Sequence, residues 1–158
     1  VNHRIRLTMA VPVAAPVSYV WAAVTDWPRQ SEWILGTTVR VVAGDGRSVG
    51  SRVHAYTGWR PFGLLDTMRV TVWEPPHRVE VLHDGGLLRG PGLIEVQPSE
   101  NGSVVRWSED LEQPFGAAGG LGWRVVRPLV RAGFRRSLAT FARMVEREWE
   151  QRERDDGE

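Results

Sequence analysis

The sequence predicts an α+β fold: a curved antiparallel sheet of about seven strands wrapped around a long C-terminal helix, with two short helices after the first strand. Three features of the chain carry this expectation. Between residues 122 and 149, Val126, Val130, Phe134, Leu138, Phe141 and Val145 recur at intervals of four or three, one apolar stripe on a helix. From Leu129 to Trp149 such a helix spans about 30 Å at ~1.5 Å per residue, enough to cross a small domain. Most of the chain before it reads with a period of two. The alternating segments are joined mostly by short turns, which favours a meander.

Taken in order, residues 3–13 alternate Ile5, Leu7, Met9 and Val11 against Arg4, Arg6, Thr8 and Ala10, a half-buried strand that Pro12 and Pro16 end. Pro16 suits the first turn of a helix carried by Val17, Val20, Trp21 and Val24. Asp26-Trp27-Pro28 breaks that helix, because the residue before a proline resists the helical region. A second short helix is expected over Gln30–Trp33. Val39 and Val41 open the next strand, Gly44-Asp45-Gly46 marks a turn, and residues 51–57 alternate again until Arg60-Pro61-Phe62-Gly63 interrupts them. Residues 67–73 put Met68, Val70 and Val72 on one side. Pro75-Pro76 turns the chain into residues 78–83, with Val79, Val81 and His83 on one face. In residues 87–96 the run Gly90-Pro91-Gly92 makes the first half doubtful as strand. The last strand, 104–111, shows Val105, Trp107, Glu109 and Leu111 on one face and Arg106, Ser108 and Asp110 on the other.

Residues 114–122, rich in glycine, read as a flexible connection into the terminal helix. Pro128 either kinks that helix or marks its new start after a short helical turn. One domain over residues 1–149 accounts for the chain, and the polar tail 150–158 is expected to be disordered.

Composition excludes several function classes. At 158 residues the chain can bury a sizeable core, and its net charge of +1 gives no bulk attraction to nucleic acid or anionic membrane. All 20 basic residues are arginine; cysteine is absent, which excludes disulfides, thiolate catalysis and zinc–thiolate sites. The four histidines lack a ligand spacing, so no metal is expected, nor any other cofactor. No apolar run approaches the ~18–20 residues of a membrane span and no signal-peptide pattern is seen. A cytoplasmic protein without integral membrane association is the expectation.

This order of elements resembles the helix-grip fold of START-like proteins, the SRPBCC superfamily, which includes polyketide cyclases, birch-pollen-allergen-like proteins and coenzyme-Q-binding proteins. Residues 11–21, with Pro16 followed by Val20-Trp21, are similar to that family's first strand and helix. Thr25-Asp26-Trp27 leading to Trp33 resembles its second helix, and Phe134 to Leu138 with Met144-Val145-Glu146 its terminal one. The likeness covers residues 3–149, about the whole domain, and is specific for fold rather than activity. It implies a cavity between the sheet, the terminal helix and the short helices. Physically, one helix ~10 Å wide cannot fill the concave side of such a sheet.

Strand parity supplies the walls. Val53 and Ala55, Met68, Val70 and Val72, Val79 and Val81, Ile94 and Val96, and Val105 and Trp107 share the inward side; Phe134, Leu138 and Phe141 face them from the helix. A guest among such side chains is hydrophobic or aromatic. His83 and Glu109 share the parity, and an imidazole and a carboxylate facing an apolar cavity are costly unless paired, hydrogen-bonded or wet. As a pair they could orient a ligand carbonyl or hydroxyl, or act as general acid and base. The plainer alternative leaves both at solvated strand ends without a role, and a slip of one residue in register would turn both outward. Trp33, Trp59, Phe62 and Leu64 fall at what the resemblance makes the rim of the entrance, as a lid or as packing of that loop on the second helix. The ligand-contact candidates are therefore Trp33, Val53, Trp59, Met68, Val70, Val81, His83, Ile94, Trp107, Glu109, Phe134, Leu138 and Phe141. His83 and Glu109 are the catalytic candidates.

Other motifs carry less. Residues 44–50 lie between strands and read as a hairpin. Residues 116–122 precede a helix, where backbone N–H groups could hold an anion, yet they lack the P-loop lysine. The arginines of the terminal helix read as a solvated face, interrupted by Glu146, Glu148 and Glu150.

The first reading of function is a carrier or sensor for a small hydrophobic ligand, lipid- or polyketide-like. The alternatives are an enzyme resembling polyketide aromatase/cyclases and a membrane-adjacent or partner-binding module of the coenzyme-Q-binding kind. The expected partner is a small hydrophobic molecule and not nucleic acid; a homodimer is left open.

Overall fold

The computed structural model describes residues 4–112 and 116–157. His3 of the expected first strand, residues 114 and 115 of the expected connection, and Glu158 of the tail lie outside the described residues. The elements are β1 (Arg4–Val13), α1 (Val17–Val24), a 3-10 turn (Pro28–Glu32), β2 (Thr37–Ala43), β3 (Arg52–Thr57), β4 (Leu64–Glu74), β5 (Arg78–Asp84), β6 (Arg89–Ser99), β7 (Gly102–Glu112) and α2 (Gly116–Asp156). All strands join one seven-stranded antiparallel sheet in the order β1-β7-β6-β5-β4-β3-β2, curved against α2 as expected. A single meander runs from β2 to β7, and β1 closes onto β7 in unbroken register, from Arg4 opposite Glu112 to Val13 opposite Ser103. Between β1 and β2 the chain must pass from one sheet edge to the other. That passage is α1, which touches β6, β7 and α2, and the 3-10 turn, which touches β2.

Local chemistry fixes these joints. Pro16 is the N-cap residue of α1, and Thr25 closes the helix with its Oγ1 donating to the Trp21 carbonyl at 2.7 Å. Gln30 in the 3-10 turn is buried and donates Nε2 to the Val24 carbonyl at 2.9 Å. In the β2–β3 connection Gly46 has φ +74°, and a Cβ there would stand 2.8 Å from the Trp27 ring. Trp27 donates Nε1 to the Gly46 carbonyl at 2.7 Å, tying that hairpin to the 3-10 turn.

The core lies between the concave sheet, α1 and the C-terminal half of α2. Val53, Val70, Val79, Val96 and Val105 from the strands meet Leu138, Phe141 and Val145 from α2, all fully buried. Each such side chain contributes about 1.5–3 kcal/mol of apolar burial. Polar ties add direction: Glu146 Oε1 accepts from the Ala14 N–H at 2.9 Å, Ser137 Oγ from the Leu35 N–H at 3.1 Å, and Arg29 pairs with Glu148 at 2.5 Å.

Four sequence expectations are corrected. β6 is strand throughout, including Gly90-Pro91-Gly92; the glycines admit neighbours too close for a side chain, a Cβ at Gly90 overlapping the Asp110 carbonyl. A bulge between Val70 and Val72 shifts the register of β4, so that Trp73 rather than Val72 stands opposite Val79. Trp73 then packs against Trp21 with ring centroids 5.2 Å apart. Residues 116–122 are helical rather than a flexible connection, and Pro128 lies inside that one helix. Its first half is held by Trp123 and Val130 against Ile5, Leu7 and Leu111, leaving Val126 exposed with Val125 and Leu129. Finally, α2 runs on to Asp156 where a disordered tail was expected. The tail's glutamates, arginines and glutamine are good helix formers, and Gln151–Asp155 and Arg152–Asp156 contacts at one-turn spacing support it.

Candidate functional site

Between the sheet and α2 lies a cavity of about 460 Å³, within the ~300–1,000 Å³ usual for small-molecule sites. Its walls come from five directions. Ile5, Leu7, Trp107 and Leu111 stand on β1 and β7; Val79, Val81 and Ile94 on β5 and β6; Ala55, Leu64 and Met68 on β3 and β4. Trp33, Ile34 and Leu35 close one side from the 3-10 turn onward, and Trp123, Val130, Phe134 and Leu138 cover it from α2. Trp107 stacks edge-on with Trp33 and Phe134, each at 5.7 Å, so the aromatic wall is continuous.

One corner is charged, while Gln30, Thr37, Thr57 and Ser137 add uncharged polar groups elsewhere on the lining. His83 Nδ1 lies 2.8 and 2.9 Å from the two carboxylate oxygens of Asp66, and His83 Nε2 lies 3.0 Å from Glu109 Oε2. Trp107 donates Nε1 to Glu109 Oε1 at 2.6 Å. The strands place these groups by simple parity. Asp66 is two residues before Met68 on β4, His83 is opposite Met68 on β5, and Glu109 is opposite Gly92 on β6. His83 and Glu109 thus reach each other diagonally over β6. They can do so because residue 92 has no side chain: a Cβ there would be 2.7 Å from Glu109 Oε2 and 2.9 Å from His83 Nε2.

Burial alone would disfavour a charged imidazole. Here the hydrogen bonds and charges of Asp66 and Glu109 override it, and the His83 pKa is pushed up to about 10. His83 is therefore an imidazolium at neutral pH, with both N–H groups donating to carboxylates. Such a group holds two acids in fixed positions. It is not a free general base.

Of the ligand-contact candidates, Trp33, Met68, Val81, His83, Ile94, Trp107, Glu109, Phe134 and Leu138 line the cavity. Val53, Val70 and Phe141 are sealed in the core behind it, Phe141 against Trp33 at 4.9 Å. Trp59 is 88% exposed, and Phe62 on the same loop 92%. That loop hangs between Thr57 and Leu64, both lining residues. His83 and Glu109 are buried, not at solvated strand ends. Sequence reasoning missed Asp66, although the alternation through Met68 and Val70 reaches it one step back. It also missed Trp123 on α2 and the contribution of Ile5 and Leu7. Among the described residues no cluster of histidine and carboxylates has the form of a metal site, and no helix is long and apolar enough to cross a membrane.

A family described as polyketide cyclase/dehydrase and lipid transport matches residues 4–146. The chain belongs to that family. Solved structures share its fold. A Thermus thermophilus protein aligns with TM-score 0.73 at 17% identity over 90% of this chain and 97% of its own. The Polyketide_cyc-like protein of Corynebacterium glutamicum aligns with TM-score 0.65 at 21% identity over 94% and 96%. Ara h 8.0201 aligns with TM-score 0.64 at 10% identity over 90% and 98%. No curated protein matches the chain. At these identities the structural likeness speaks for the fold alone.

Proposed function

We propose that this family member binds one small, largely apolar molecule in the cavity, as a carrier or sensor. The observation that supports it is a hollow of about 460 Å³ with mostly aliphatic and aromatic walls and one charged corner. Such a site offers desolvation to a hydrophobic guest and one place to fix its orientation. A cytoplasmic location and a small-molecule rather than nucleic-acid partner belong to the same proposal. The test is titration with an environment-sensitive dye while tryptophan emission is followed. Saturable one-to-one binding with quenching of Trp107 and Trp33 is expected; folded protein that shows no saturation would refute the carrier reading.

A second reading, an aromatase/cyclase-type enzyme, is favoured by one observation: Asp66, His83 and Glu109 converge where a bound chain would fold. Its difficulty is that both imidazole nitrogens are engaged. Catalysis would need a ligand group to displace one of those contacts. Turnover abolished by Glu109→Gln with affinity retained would favour the enzyme; no turnover of any aromatic or polyketide substrate keeps the carrier.

A further inference from the structure

Among the described residues three charged side chains line the cavity, Asp66, His83 and Glu109, and no arginine does, although arginine supplies all 20 of the chain's basic side chains. The donors of this corner are already committed. Both imidazole N–H groups face carboxylates, and the Trp107 N–H is directed at the other oxygen of Glu109. What the corner has left for a guest is acceptor capacity, because each carboxylate oxygen carries two lone pairs. Charge points the same way. Two carboxylates around one imidazolium leave a single uncompensated negative charge, and the rest of the lining, mostly aliphatic and aromatic with the uncharged polar side chains of Gln30, Thr37, Thr57 and Ser137, supplies no charge to offset it. A second anion brought there would be repelled at low dielectric and would find no cation to offset its lost hydration.

We infer that the ligand's polar end is a hydrogen-bond donor, a protonated amine or a hydroxyl, seated against Glu109 and Asp66, and that carboxylate-ended molecules such as fatty acids are discriminated against. This rests on the cavity being the ligand site proposed above. An amine gains both the hydrogen bond and the charge, a hydroxyl only the first. Specificity of this kind comes from the unfavourable pairing as much as from the favourable one.

The experiment uses one apolar body with four ends: naphthylmethylamine, naphthalenemethanol, naphthoate and methylnaphthalene, titrated calorimetrically into the full chain at neutral pH. The amine and the alcohol are expected to bind at least tenfold more tightly than naphthoate, with methylnaphthalene between. Glu109→Gln should shrink the ratio of amine to naphthoate affinity at least tenfold; Asp66→Asn serves if that variant does not fold. Naphthoate binding as tightly as the amine, while methylnaphthalene also binds, overturns the donor-end inference alone. Failure of all four, methylnaphthalene included, overturns the cavity reading and this inference with it.

Discussion

His83 Nε2 and Glu109 Oε2 meet at 3.0 Å only because Gly92 stands between their strands. A methyl group at that position would fall within 3 Å of both, so one or both side chains must move aside. Gly92→Ala should therefore separate the pair, at a cost of about 1–3 kcal/mol from overpacking and a weakened buried hydrogen bond. The informative readout is the imidazole itself. Its pKa, followed by NMR, should drop from about 10 toward the ordinary 6.5. A variant with native stability and an unmoved imidazole would show that the glycine is not what permits the contact.

The same cluster makes stability depend on pH. Folding raises the His83 pKa from 6.5 to about 10, so between those values the folded protein binds more protons than the unfolded chain. Its contribution is whole below about pH 6.5 and is lost progressively as pH climbs toward about 10. Urea denaturation across that window should show falling unfolding free energy, with a shallower slope in His83→Gln. Parallel slopes for the two proteins would remove His83 as the cause.

Much of this was legible in the chain, and the rest failed for physical reasons. Period-two alternation placed His83 and Glu109 on the cavity side because the side-chain direction of a strand is fixed by parity once the register holds. Val72 broke that rule at a bulge, which adds a residue without any mark in the local alternation. Val53, Val70 and Phe141 have the right parity yet lie in the core, since parity says which side a residue faces and not how far the guest extends. The first turns of α2 read as a loop because glycine has poor helix propensity, whereas the helix there follows the packing of Trp123 and Val130 on β1 and β7.

Trp59 and Phe62 touch almost nothing, being 88% and 92% exposed, on a loop whose two ends line the cavity. Replacing both with alanine should leave stability within about 0.5 kcal/mol, as for other exposed positions. Dye association and dissociation rates, measured by stopped flow, should nonetheless change if the loop stands at the entrance. Unaltered rates would place the entrance elsewhere, beneath the first half of α2.

Phe134 and Phe141 sit two turns apart on α2 and test the division between wall and core. Phe141 is fully buried among core side chains, and Phe141→Ala should cost about 3–5 kcal/mol through the cavity it leaves. Phe134 is half-buried, packs edge-on against Trp107 at 5.7 Å and borders space already open. Its truncation deletes one ring contact and less burial, so Phe134→Ala should cost roughly 1–2 kcal/mol. Ligand affinity should respond in the reverse order, falling several-fold for Phe134→Ala, since that ring is part of the surface a guest meets. Denaturation curves and dye titrations on the two variants settle the point. Equal destabilisation by both, with dye affinity untouched in Phe134→Ala, would mean that the hollow beside Trp107 is a packing defect and not a binding site.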